Sequence, residues 1–345
     1  MPPTRVTLAE VARRAGLSKA AASYALRNHP EVSAATRERV QRLAREMGYR
    51  PDPVMARLMT RLHAARGPRY AGKIAFINPS DDPAFAARVP VLGDFLQAAT
   101  RRAAELGYDI EEFWLHEPGR SPRRLAQMLR ARGIDGLLIG SSGAYHSEIT
   151  FPFQRFAAVT VGYTIDRPPL HRVVTHHYRN TRLALSRVEA AGYRRIGFVA
   201  DARHEAYMEH LHHAAYLQHQ SALPAALRVP PLLLPGRDAE ALRTLASWFA
   251  RHRPDAVLST DYGPETFAQA GLAVPRDLAL ARLILPRDDV RDAGILPGYD
   301  RLGVIAIELL AAQLGLEQLG PPEAPRVVQL EGEWRDGPSL PPVAG

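Results

Sequence analysis

From Gly72 onward, short apolar runs of strand length alternate with helical segments, and this alternation restricts the chain to few architectures. Lys73-Ile74-Ala75-Phe76-Ile77 precedes the Asn78-Pro79 turn signal. Residues 95–106 read as a helix that Gly107 ends, and 109–115 as a strand. A helix over 123–132 leads into Gly136-Leu137-Leu138-Ile139-Gly140, and Val159-Thr160-Val161-Gly162-Tyr163 is the next run. Helix 181–191 precedes strand 195–200, and helix 242–251 precedes Ala256-Val257-Leu258-Ser259. Strands joined through helices lie parallel, because a tight hairpin cannot make that connection. The 345 residues leave room for two such sheets of about 130 residues each.

The first fifth of the chain is different. Residues 1–69 carry 14 Lys and Arg against 5 Asp and Glu, whereas the remainder has 30 against 31. The net charge of +8 therefore resides at one end, which suits a polyanionic partner there and equally suits a solvated basic arm. The pattern within the segment is more specific. Thr7-Leu8-Ala9-Glu10 has the form of a capping box. Leu8, Val11, Ala12 and Ala15 then repeat at helical spacing, and Gly16 ends the helix. Ser18 can cap a second helix running to about Leu26, with Ala22, Ala25 and Leu26 inward and Lys19, Ala20, Ser23, Tyr24 and Arg27 outward. A third helix follows Ser33 on the stripe Val40, Leu43, Ala44, Met47, and Gly48 closes it. Two short helices around a glycine turn make a helix-turn-helix, and the three together can share one small core.

The run from Thr7 to Ser18, then Ser23, then Val32-Ser33-Ala34-Ala35-Thr36-Arg37-Glu38-Arg39-Val40 and Met47-Gly48-Tyr49-Arg50-Pro51, resembles without gaps the DNA-binding headpiece of the lactose-repressor (LacI) family. The resemblance implies three parts: a headpiece over 1–51, a hinge helix and linker over 52–71, and an effector-binding and dimerisation body over 72–345. It also implies a fold class, an all-α helix-turn-helix headpiece followed by an α/β body of two lobes with parallel sheets, like a periplasmic binding protein. Over the body the similarity is one of pattern, and it includes the ending Trp334-Arg335-Asp336-Gly337.

By that resemblance Lys19, Ala20 and Tyr24 fall on base-reading positions of a helix laid in the major groove. Lys19 can donate to guanine O6 or N7, the Ala20 methyl suits thymine, and Tyr24 can donate or accept. Thr7, Ser18, Ser23, Arg27, Ser33 and Tyr49 fall on phosphate-contacting positions. In the hinge segment 53–59, Met55 and Leu58 fall where an apolar side chain enters the minor groove and bends the duplex; a plain linker helix is the simpler reading. Ala21 and Arg27 depart from the family's usual threonine and asparagine, which leaves the operator sequence open.

In open parallel sheets ligands bind beyond the carboxyl ends of the strands, which nominates Asp81, Asp82, Tyr163, Asp261 and Tyr262 as effector contacts. Carboxylates beside aromatic rings suit a polyol such as a carbohydrate, although Asp also collects in loops because it makes turns. The arginine by which the family holds its effector has no counterpart; that region reads His210-Leu211-His212-His213. His204, His210, His212, His213 and His219 cluster with Glu205 and Glu209, and Glu209 and His213 have the i, i+4 spacing of one helix face. No His-Glu-x-x-His pattern organises them, so a polar face is expected rather than a metal site.

No cysteine is present, which excludes disulfides and cysteine-ligated metals and fits a reducing cytoplasm. No signal-like or membrane-length apolar run is visible. Dinucleotide, phosphate-loop and nucleophile-elbow motifs are missing, so neither enzyme nor cofactor is expected. The segment 302–316 is apolar on most sides, through Leu302, Val304, Ile305, Ile307, Leu309 and Leu310. Burial between its lobe and a partner subunit would account for that and would fit a homodimer on a palindromic DNA operator.

Overall fold

The computed structural model describes residues 6–26, 32–49, 72–144, 147–287, 289 and 291–343. The hinge segment, with Met55 and Leu58, and Arg27 lie outside the described residues. Three helices form first: α1 Leu8–Ala15, α2 Lys19–Leu26 and α3 Ala34–Glu46. They enclose one core of Val11, Ala15, Ala25, Val40 and Ala44, with Leu17, Leu26, Leu43, Met47 and Tyr49 packed around it. Alanines dominate because three short helices must approach closely to exclude water from so few side chains.

The rest is two α/β lobes. The first holds β1 Gly72–Asn78, α4 Pro90–Glu105, β2 Tyr108–Trp114, α5 Pro122–Ala131, β3 Ile134–Ile139, β4 Ala157–Val161 and β5 His171–Thr175. The second holds α6 His177–Ala190, β6 Ile196–Asp201, α7 Ala202–Tyr207, α8 Leu211–Ala222, β7 Leu232–Leu234, α9 Ala239–His252, β8 Ala256–Ser259, α10 Pro264–Gln269, β9 Ala279–Arg282 and β10 Ala293–Leu296. The chain then returns to the first lobe with α11 Tyr299–Gly315 and β11 Val327–Leu330, and ends in the second with β12 Glu333–Arg335. It thus changes lobe three times, at 175–177, 296–299 and 330–333.

Each lobe has a six-stranded sheet, ordered β11-β5-β4-β3-β1-β2 and β12-β10-β9-β8-β6-β7. All pairs in these two sheets are parallel except β12 with β10. Successive residues of a strand enter opposite cores: in β1, Ala75 and Ile77 join Leu125, Leu129 and Phe153, while Ile74 and Phe76 join Phe95, Leu302 and Leu310. Helices cover both sheet faces, which is why these strands read as unbroken apolar runs rather than alternating ones.

The apolar helix α11 packs on α4 and on the first lobe's sheet. Its buried side is Leu302, Gly303, Ala306, Ile307, Leu310 and Gln313, whereas Val304, Ile305 and Leu309 are only half-buried. Its own lobe therefore accounts for one face of the helix. No helix among the described residues is long and apolar enough to cross a membrane.

Candidate functional site

The headpiece is locked locally before it is packed. Thr7 donates its backbone N–H to Glu10 Oε2 at 2.7 Å and its hydroxyl to the same oxygen at 2.9 Å, and accepts from the Glu10 N–H at 3.4 Å. The backbone N–H and then the hydroxyl of Thr7 hold the Glu10 carboxyl below the ordinary value. Gly16 takes the left-handed conformation, φ 66°, which lets the chain leave α1 and enter α2 within three residues. Ser18 Oγ accepts from the Ala21 N–H at 3.1 Å, and Ser33 Oγ from the Thr36 N–H at 3.3 Å. Gln41 of α3 donates to the Ala25 carbonyl of α2 at 3.3 Å.

This scaffold sets Lys19, an exposed cation, at the first position of α2 one residue after the exposed Ser18. Ala20 and Ser23 lie on the same helix, and Tyr24 is half-buried there. Thr7 and Ser33 are exposed at the starts of α1 and α3, and Tyr49 is half-buried against the core. The hydroxyls of Thr7 and Ser33 also serve their own helices, Ser33 donating to Thr36 Oγ1 at 2.9 Å.

The nominated effector contacts divide three ways. Asp81 is fully exposed in the loop after β1, with His116 Nε2 at 3.8 Å, and Asp82 is committed to Arg88 and to the Ala84 N–H. Tyr163 lies at the junction of the lobes, 8% exposed, its hydroxyl accepting from Gln329 Nε2 at 3.3 Å. Asp261 is internally satisfied by His204 Nδ1, the Thr260 hydroxyl and, at 3.1 Å, the Asp201 N–H. Burial alone would raise Asp261, but the hydrogen bond and charge of His204 prevail and leave it below the usual carboxylate value. His204 correspondingly sits above the usual imidazole value, since Asp261 outweighs its burial. Tyr262 has no exposed surface; it belongs to the second lobe's core and donates its hydroxyl to the Gly236 carbonyl at 2.9 Å. Neighbours in sequence, the two side chains part: Asp261 bonds His204 of α7 and Thr260, while the Tyr262 ring packs into the core.

The histidine cluster resolves into separate tasks. Glu209 and His210 both have φ 54°, which breaks the helix between α7 and α8, so Glu209 and His213 do not share the helix face that their spacing suggests. His213 stacks on Phe198 with a 4° interplanar angle, and His219 Nε2 lies 2.9 Å from Glu189. Among the described residues no three His, Asp or Glu are placed to hold a metal ion. One pair is fully buried: His212 Nδ1 lies 2.7 Å from Glu205 Oε1, and Glu205 also accepts the His213 N–H at 3.2 Å. Sequence reasoning missed His177, whose ring lies 4.5 Å from His212, and Tyr299, whose hydroxyl burial pushes up to about 12. Both sit at lobe crossovers, a position that only the chain path reveals.

Comparison with known proteins agrees with this geometry. Residues 7–52 match the model described as "Bacterial regulatory proteins, lacI family". The HTH-type transcriptional regulator PtxS of Pseudomonas plecoglossicida is 25% identical over 292 residues, 80% of either chain. The HTH-type transcriptional repressor CytR of Escherichia coli is 49% identical over 51 residues, 15% of either chain. Among solved structures, a complex titled transcriptional regulator CelR-cellobiose has a TM-score of 0.56 at 20% identity, covering 97% of this chain and 100% of that one. The lac repressor dimer bound to operator and the anti-inducer ONPF has a TM-score of 0.55 at 18% identity, covering 98% and 100%. At such identities the structures speak for the fold: a helix-turn-helix followed by a periplasmic-binding-protein-like body.

Proposed function

We propose that the chain, whose residues 7–52 match the lacI-family regulatory model, is a transcriptional regulator of LacI type, a repressor binding a palindromic operator as a homodimer. In this reading residues 1–51 are the headpiece, 52–71 the hinge and linker, and 72–345 the effector-binding and dimerising body. The observation that carries it is the three-helix unit that holds Lys19 exposed at the start of α2, within a segment carrying the whole positive excess of the chain. Lys19, Ala20 and Tyr24 read bases; Thr7, Ser18, Ser23, Arg27, Ser33 and Tyr49 hold phosphates; Met55 and Leu58 enter the minor groove. The protein acts in the cytoplasm by binding rather than by catalysis.

A small ligand between the lobes changes their angle and so the spacing of the headpieces, with a coupling of about 1–3 kcal/mol. Solved structures of the same fold hold cellobiose and ribose, which supports a carbohydrate. Asp81, Asp82, Tyr163 and Asp261 are the contacts, and Tyr262 braces the loop of Asp261 from beneath. A second reading, regulation by a partner protein or by none, draws support from Asp82 and Asp261 being already committed to Arg88 and His204. Selection of duplexes from a random pool by the full chain tests the main reading. A palindrome should emerge, held steeply less tightly as salt rises. Retention of no duplex in dilute salt, unchanged on deletion of residues 1–60, overturns it. Calorimetry against a sugar panel separates the two modes of regulation.

A further inference from the structure

Three side chains form a row of rings from the first lobe into the second. Tyr163 follows β4, and its ring lies 6.0 Å from that of His177, the first residue of α6. His177 lies 4.5 Å from His212 of α8. Behind His212 is Glu205 of α7, 1% exposed, and the His212 Nε2 atom is buried with no hydrogen-bond partner. The chain changes lobe between Thr175 and His177, so the middle ring of the row stands at a crossover.

His177 is 3% exposed. Its titratable neighbours are His176, which precedes it at the N-cap, His212 on α8 and His204 on α7, with the phenol of Tyr163 facing it from the first lobe. The buried carboxylates of the region are engaged elsewhere, Glu205 with His212 and Asp261 with His204. We infer that the Tyr163–His177–His212 row is a proton-released latch, which holds the lobes together while His177 is neutral and frees them when it is protonated. An imidazolium at this position would be buried among other histidines; of the carboxylates about the row, Glu205 and Asp261 are already paired, and the exposed Glu209 acts on Tyr163. Parting Tyr163 from His177 lets water reach the charge, which removes most of that cost. Burial first, then the neighbouring histidines, hold His177 well below the ordinary 6.5 in the closed form.

The direction follows by linkage. The open form binds the proton better than the closed one, so the closed form is fully favoured above about 6.5 and is lost as pH falls below it. Control by one proton makes the open-to-closed ratio rise about tenfold per pH unit in that window. The latch is independent of DNA binding, and its failure would leave that reading intact.

The absence of native cysteine makes the test direct. Spin labels at Gln127→Cys on α5 and Gln218→Cys on α8, both exposed, report the distance between lobes in full-length chain diluted with unlabelled protein. From pH 8 to pH 5 a longer distance should replace a shorter one. In His177→Phe, which keeps a ring and carries no proton, the distribution should not respond. Distances constant over that range in the parent, or an identical shift in H177F, overturn the latch. Should H177F not fold, imidazole resonances of the parent decide: His177 must titrate with the midpoint of the distance change, and titration without that change refutes the proposal.

Discussion

Gly303 of α11 faces the carbonyl of Phe95 in α4 so closely that a Cβ there would lie 2.3 Å from the oxygen. The two helices cross backbone to backbone, and this contact seats α11 after the chain has returned from the second lobe. Gly303→Ala must push the helices apart. We expect a loss of about 1–3 kcal/mol, the cost of an overpacked core, read as a lowered urea midpoint with an unchanged slope. An unaffected midpoint would mean that α4 can shift freely.

The exchange of hydrogen bonds between Thr7 and Glu10 predicts a pH response of the headpiece. Because the folded Glu10 carboxyl lies below its ordinary 4.5, its contribution is present above that value and is lost as pH falls through the folded one. Helicity of the isolated residues 1–60 bound to duplex should therefore decline in acid, and Glu10→Gln should flatten that decline. Thr7→Ala removes the cap and should cost about 0.5–2 kcal/mol at neutral pH by thermal melting.

Lys19 is the sharpest test of base reading. Lys19→Ala should relax preference at one position of each half-site, at a cost of about 1–3 kcal/mol against the preferred base only. If binding weakens equally on every sequence and the salt slope falls by about one, Lys19 holds a phosphate instead.

The buried Glu205–His212 pair predicts an asymmetry. Glu205→Ala strips His212 of its partner and the His213 N–H of its acceptor, and should cost about 3–5 kcal/mol in chemical denaturation. Glu205→Gln keeps the volume and one acceptor oxygen, enough for one of the two donors, and should cost less than Glu205→Ala. Equal losses would show that packing volume, not hydrogen bonding, is what Glu205 supplies.

Much of this molecule was legible in its residues. The Thr7–Glu10 box, the turn at Gly16, the small headpiece core and the order of strands and helices all follow from contacts within about four positions or from burial period. Reading by spacing failed where backbone conformation changed unannounced: Glu209 and His213 have helical spacing, but left-handed residues at 209 and 210 break the helix between them. It also misjudged reach, since Tyr262 follows a strand end as Tyr163 does yet turns into the core and bonds Gly236.

The sequence by itself determined the three headpiece helices, the alternation of strand and helix that calls for parallel sheets, and where the positive charge collects. These depend on hydrogen bonds and hydrophobic faces that each segment carries within itself. Only the tertiary structure decided that Tyr163, His177, His212 and Glu205 meet, and that Asp261 is spoken for by His204. The chain crosses between lobes three times, and the packing of α6 against α8 joins residues whose spacing carries no period.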